Sequence, residues 1–456
     1  SWDVMGDNSL KVRGGTGLFS GRLPLVFFTN MPTNSGMVQY QAQLNDSNLK
    51  KLGLGTMADH FTGGLVTENG KATIDALLKK LHAMGYPSTI NPEDGAVPSS
   101  ISAVDPNFKM PQVWKTSVAI DYAFPTSFPM SFSVEGIFNK TINGVTISDW
   151  SMLPVEGFAR LNGADNRPMY PSNFRTSTKA FVLENTHQGY GYSANATFNM
   201  RPVEGLSFMA AYSHTVSKEI TGMPGSAAES AFTYVPTSKG PNNIELHNSQ
   251  YVTPDRVIAS LSHDDKCGNH FNLVYEAWRG GYNYSYMLAN DMNGDGYNYD
   301  ALYIPTDSEV ANGEFRFVSE KDKENFMAFV KNDKYLSKHQ GQYAEAYSVY
   351  SPWVHRLDFG YKHDFKVKSG NSTNTLQLSV DLKNVLNLFN SSWGVSKYMD
   401  PNMVEGRILK FEKVDKDGYP TFSTPSVVNG STQTFVPSHS VGQCWYASVG
   451  IKYMFN

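Results

Sequence analysis

Apolar and polar residues alternate strictly in several stretches of this chain. In "VWKTSVAIDYAF", Trp114, Val118, Ile120, Tyr122 and Phe124 share one face, while Lys115, Ser117 and Asp121 share the other. A period of two is that of a β-strand with one face against an apolar medium. The chain turns at "PTSFP" and returns as "SFSVEGIF", with Phe132, Val134 and Phe138 opposite Ser131, Ser133 and Glu135. The same hairpin layout recurs in "YGYSANATFNMR" with "LSFMAAYSHT", in "RVIASLS" with "HFNLVYEA", and in "RLDFGYKHDF" with "TLQLSVDLKN". "LKVRGGTGLF" near the start and "WYASVGIKYMF" at the end add two more. The pattern predicts about ten strands of roughly 10 to 13 residues, each long enough to cross a bilayer at a tilt.

The connections alternate as well. Short turns of about four to eight residues separate long segments at 20–112, 142–188, 218–253, 282–352 and 389–442. Short turns on one side and long loops on the other are the layout of an outer-membrane barrel. Lys11, Arg13, Arg356, Asp358 and Asp381 all fall opposite the apolar stripe of their strand. A charge on a lipid face costs about 2 to 4 kcal/mol at the midplane, so these five are expected to face a polar lumen. A β-sandwich with one solvated face gives the same alternation, but has no reason to alternate its loop lengths. The expected fold is all-β, a transmembrane antiparallel barrel with long extracellular loops. Two short helices are predicted inside those loops: "KATIDALLKKLHAMG", with Ile74, Leu77, Leu78 and Leu81 on one stripe, and "KENFMAFVKNDKYL", with Phe326, Phe329 and Val330.

Composition narrows the picture by exclusion. The 456 residues carry a net charge of −4 and 13% aromatics, so no basic footprint for nucleic acid exists. No stretch approaches the roughly 20 apolar residues of a transmembrane helix, a filter that alternating strands pass unseen. No charged-then-apolar leader stands at Ser1, so the chain is expected to be a mature form, a cytosolic protein or a fragment. Cys267 falls in a short turn and Cys444 at the outer start of the last strand. A bilayer between them forbids a disulfide. No HExxH, GxSxG or Cys-His pairing occurs, and "GGTGLFSG" lacks the spacing of a nucleotide loop, so no enzyme is expected.

Two loop stretches carry candidate sites. "DMNGDGYNYD" places Asp291, Asn293 and Asp295 at alternate positions before Gly296, as in the first half of a calcium loop. Leu302 stands where a bidentate Glu belongs, leaving Asp300 and the Tyr297 carbonyl as substitutes. The same residues also suit an ordinary Asn/Gly turn. In "GYNYSYM", Tyr282, Tyr284 and Tyr286 alternate at the outer end of a strand. They read either as an interfacial aromatic girdle or as a surface on which a sugar or peptide stacks.

The chain's last strand, "SVGIKYMFN", places Ser448, Gly450, Tyr453 and Phe455 in a pattern that resembles the β-signal captured by the barrel-assembly machinery, with Asn456 one residue beyond it. "SWDVMGDNSLKVRGGTGLFSGRLPLVFFTN", "GLSFMAAYSHTVSKE", "DMNGDGYNYDALYIP", "FVKNDKYLSKHQGQYAEAYSVYSPWVHRLDFGYKHDF" and "LQLSVDLKNVLNLFNSSWG" resemble, in order, segments of TonB-dependent receptors of the Oar-like group. That resemblance implies a barrel of about 22 strands with an N-terminal plug and a TonB box. Nothing here resembles either, so residues 1–456 are expected to form the C-terminal part of the barrel. It also implies lipid, the TonB complex and the assembly machinery as partners, and lumen charges that hold a plug. A small barrel complete in itself, a scaffold for surface lipoproteins and an open diffusion pore remain the alternatives.

Overall fold

The structure is a computed structural model that describes residues 1–29, 45–60, 68–88, 100–223, 225, 227–370, 372–403, 405–426, 428 and 433–455. Among them, ten long strands build one antiparallel sheet in which each pairs with its neighbour in sequence. They are β1 (Leu10–Ser20), β2 (Gln112–Ala123), β3 (Met130–Asp149), β4 (Tyr190–Val203) and β5 (Leu206–Glu219). The second half comprises β6 (Asp255–Asp264), β7 (Asn269–Arg279), β8 (Val354–Ser369), β9 (Ser372–Lys383) and β10 (Tyr446–Met454). β3 runs further than the alternation indicates, because its outer half leaves β4 to pair with Lys179–Thr186 above the sheet.

The register sorts side chains by face. One rung reads Met130, Met200, Phe208, Leu261, Leu273, Phe359, Leu382 and Ala447. The next reads Ser207, Ser262, Asn272, Gly360, Asp381 and Ser448. Pleating sends alternate rungs to opposite faces, so one face is an apolar belt and the other polar. Large side chains of the belt, among them Ile120, Phe138, Tyr192, Leu261, Phe271 and Leu378, stand exposed. A contiguous exposed apolar surface of this extent marks contact with another apolar phase.

The sheet's two edges do not pair with each other among the described residues. β1 has an outer partner only at Trp2–Asp3, opposite Val12 and Lys11. β10 pairs with β9 alone, and its Val449 and Ile451 are 77% and 74% exposed.

The connections at one end are 124–129, 204–205, 265–268 and 370–371, and those at the other are 21–111, 150–189, 220–254, 280–353 and 384–445. The second set folds into a layer with its own apolar core, in which Tyr286, Leu302, Ile304, Phe326, Val330 and Phe422 are fully buried. Both expected helices lie in it. α1 (Glu68–Ala83) buries Leu77 and Leu81 against Leu49, whereas Leu78, expected on the same stripe, is exposed. α2 (Glu320–Asn332) is capped by the Ser319 side chain, which accepts the Asp322 N–H, and buries Phe326, Phe329 and Val330. Cys267 and Cys444 are both free, in a short turn and beside the outer end of β10 respectively.

Candidate functional site

A cleft of about 530 Å³ opens in the outer layer where the segments after β5, β7 and β9 meet. Its walls are tyrosines: Tyr234 and Tyr251 from the β5–β6 connection, Tyr282, Tyr284, Tyr299 and Tyr347 from the β7–β8 connection. Asn283–Tyr284 pairs with Val349–Tyr350, which fixes the Tyr284 ring on a small ribbon, with Tyr282 just before it in the chain. Tyr251, Tyr282, Tyr284 and Phe435 then follow each other edge to face, with centroids 5.7, 5.0 and 5.9 Å apart. Such T-shaped steps let each ring's positive edge meet the next ring's negative face. Gln250, Asn283 and Glu405 supply the polar lining.

Two of the five non-glycine residues with positive φ among the described residues lie here. Tyr347 and Glu405 both hold left-handed backbone, with φ of 55° and 61°. That region is unfavourable for side chains of their kind and persists only where surroundings enforce it. Ser285 Oγ accepts the Tyr347 N–H at 2.8 Å, and the Ser285 carbonyl lies so close to Gly406, next to Glu405, that a Cβ there would meet it at 1.9 Å. The Tyr347 hydroxyl donates to the Tyr234 carbonyl at 2.9 Å, and its ring meets His247 edge-on at 5.4 Å. Glu405 pairs with Arg407 at 2.7 Å, and Arg407 stands 5.3 Å over the Tyr299 ring.

Burial raises the Tyr282, Tyr284 and Tyr299 hydroxyls above the ordinary phenol range, and the Glu405 charge adds to this at Tyr282 and Tyr299. All three therefore stay neutral donors at physiological pH. The cleft can offer ring faces, hydroxyls, the Gln250 amide and one carboxylate, whereas the Asn283 amide is buried and donates to the Ser249 and Val252 carbonyls.

The candidates read from the alternation and the loops fall out differently. Tyr282 and Tyr284 line the cleft, but Tyr286 does not: it is fully buried, and its hydroxyl donates to Asp333 and bonds Thr434. Alternation past the end of β7 is that of a short ribbon above the sheet, which sends its third ring into the layer's core.

Around Asp291, the carboxylate accepts the N–H groups of Gly294 and Gly296. Asn293 and Asp295 bond one another, and Asp295 accepts the Tyr297 N–H. Asp300 turns inward, accepting the Met292 N–H and the guanidinium of Arg167, which Asp165 also holds, all of them buried. The Tyr297 ring lies under Lys179 and Arg175. Among the described residues no three His, Cys, Asp or Glu converge to hold a metal ion.

Of the five charges expected to face a lumen, Arg13 bridges Asp121 and Glu135 at 2.9 and 3.1 Å, and Asp358 pairs with Lys383 at 2.8 Å. Arg356 leaves the wall to donate to the Gly394 carbonyl and to Gln443, with its guanidinium 5.3 Å over Trp278. Lys11 faces Asp121 across β1 and β2, and Asp381 lies between Gly360 and Ser448.

In the last strand, Ser448 and Gly450 lie opposite Asp381 and Ser379, and a Cβ at Gly450 would meet Ser379 Oγ at 2.6 Å. Tyr453 and Phe455 stand exposed with their rings 6.2 Å apart.

Tyr234, Tyr251, Tyr299, Tyr347 and Glu405 carry no local sequence signal. They meet only because three distant connections fold together.

A family model described as an outer membrane beta barrel domain matches residues 1–402. No curated protein matches the sequence. Among solved structures, the chain is similar to the outer membrane transporter YddB from Escherichia coli at 11% identity and a TM-score of 0.35. The match covers 77% of this chain and 33% of that one, so this chain spans about a third of its length.

Proposed function

This chain belongs to the outer membrane beta barrel domain family, and from that premise we propose that it is the C-terminal part of a TonB-dependent importer of the Oar-like group. Its strands cross the outer membrane, and the apolar belt faces lipid. The outer layer captures a ligand in the tyrosine-lined cleft, and the lumen below delivers it. The observation that carries this reading is the cleft itself, walled by tyrosines from three connections, with Tyr347 and Glu405 both held in left-handed backbone. Residues held in sparsely populated backbone cluster at ligand clamps and similar functional sites.

The nearly unpaired outer edges of β1 and β10 suit further strands on either side, as a barrel of about 22 strands needs. Within the lumen, Lys11 and Asp381 form no ion pair among the described residues and are the groups left to meet a plug. Arg13 and Asp358 already have partners in the wall, so we assign them to wall cohesion.

Intact mass and N-terminal peptide sequencing of the protein from native membranes test the reading. A mass well above 50.6 kDa, with plug and TonB-box peptides, is expected. A mass equal to these residues alone would overturn the import reading and leave a pore or a scaffold. The size of the outer core favours the scaffold of those two, since a rigid layer is a ready docking platform for a surface lipoprotein.

A further inference from the structure

The outer layer already shows what its tyrosine rings are used for. Arg167 stands 5.4 Å over the Tyr343 ring, Arg316 3.7 Å over Tyr419, Lys179 5.3 Å over Tyr297 and Arg407 5.3 Å over Tyr299. A cation over a ring face is drawn by the ring's quadrupole, more strongly as water is excluded. In the cleft, Tyr234, Tyr251, Tyr282 and Tyr284 have no cation over them among the described residues. Glu405 is the one charged side chain in the lining, and no basic side chain lines the cleft. Its Oε2 pairs with the Arg407 guanidinium, and with the side chain 71% exposed a carboxylate can accept further bonds.

We infer that the cleft holds its ligand through a positively charged nitrogen group of the alkylammonium class, seated among the Tyr251, Tyr282 and Tyr284 rings and facing Glu405. This rests on the reading of the cleft as the ligand site of the barrel. At the Tyr251, Tyr282 and Tyr284 end, an anionic ligand would meet ring faces of negative quadrupole with no cation over them among the described residues, while Arg407 is taken up by Glu405 and the Tyr299 ring. A neutral polyhydroxylated ligand would depend on the tyrosine hydroxyls, whereas an ammonium depends on the rings. That difference can be measured.

The test uses the whole chain in detergent, with choline as the probe and its uncharged carbon isostere, in which a tert-butyl group replaces trimethylammonium, as the control. Affinity is read by saturation-transfer NMR titration. Choline is expected to bind about tenfold tighter than the isostere. Tyr251→Ala and Glu405→Gln should each reduce choline to the level of the isostere, while Tyr251→Phe should stay within about twofold of wild type because the ring remains. Both positions carry exposed side chains, and an unchanged tryptic pattern confirms that the layer has folded. Equal binding of probe and control, no binding of choline, or loss of choline on Tyr251→Phe would each overturn the inference. None of these results touches the import reading, which depends on the plug and the TonB box.

Discussion

Asp295 is 4% exposed and shares its surroundings with Asp300 and Asp291. Burial, then the charges of these two neighbours, push its carboxyl up to about 7. A carboxyl with a folded pKa above its unfolded value adds stability that is fully present below about pH 4 and is lost as pH rises through about 7. Protease sensitivity of the 291–300 loop should therefore rise between about pH 5 and 7.5, and Asp295→Asn should flatten that rise. We propose that calcium can take the proton's place there. Protection at about pH 7.5 that returns with calcium and disappears with EGTA supports this, and indifference to both leaves an Asx turn. Arg167→Met would leave Asp165 and Asp300 buried without their cation. The expected cost is about 3 to 5 kcal/mol, read as a lower melting temperature of the outer layer. At this scale the sequence was only partly readable. "GYNYSYM" pointed to the cleft through Tyr282 and Tyr284, but the turn into the ribbon that buries Tyr286 depends on Val349 and Tyr350, far along the chain.

Elements were far more legible than sites, because a strand's period is local information. Val380 and Ser379 are neighbours on β9, yet Val380 lies in register with Tyr361 and Val449 on the apolar face, and Ser379 with Lys362 and Gly450 on the other. Val380→Arg should cost about 2 to 4 kcal/mol near the midplane and lower the amount of assembled protein, while Ser379→Arg should be tolerated. Equal membrane levels of the two variants would count against the lipid-face assignment. Tyr453→Ala with Phe455→Ala should lower assembly as well, since both rings stand free at the edge strand. The α2 stripe was readable because Phe326, Phe329 and Val330 share one face at helical spacing. Leu78 shows the limit of that reasoning: α1 is covered on a narrow side only, so the breadth of the buried stripe is decided by what packs on it.

At the scale of the whole molecule, loop asymmetry is the most informative feature of the sequence, and the described residues of every long connection lie at one end of the sheet. What could not be read was that these connections would fold into a layer whose apolar core is assembled from the β7–β8 and β9–β10 segments together. That layer has a thermodynamic consequence. Its core is apolar surface taken out of water, so it is held by the hydrophobic effect, which urea weakens. The belt of the wall gains nothing from hiding from lipid tails that are as apolar as itself, and its backbone groups have no partner to gain by separating within hydrocarbon. In a bilayer the two halves should therefore melt apart: rising chaotrope first dissolves the outer cap, with its aromatic near-UV signal, while the strands persist until the lipid itself is removed.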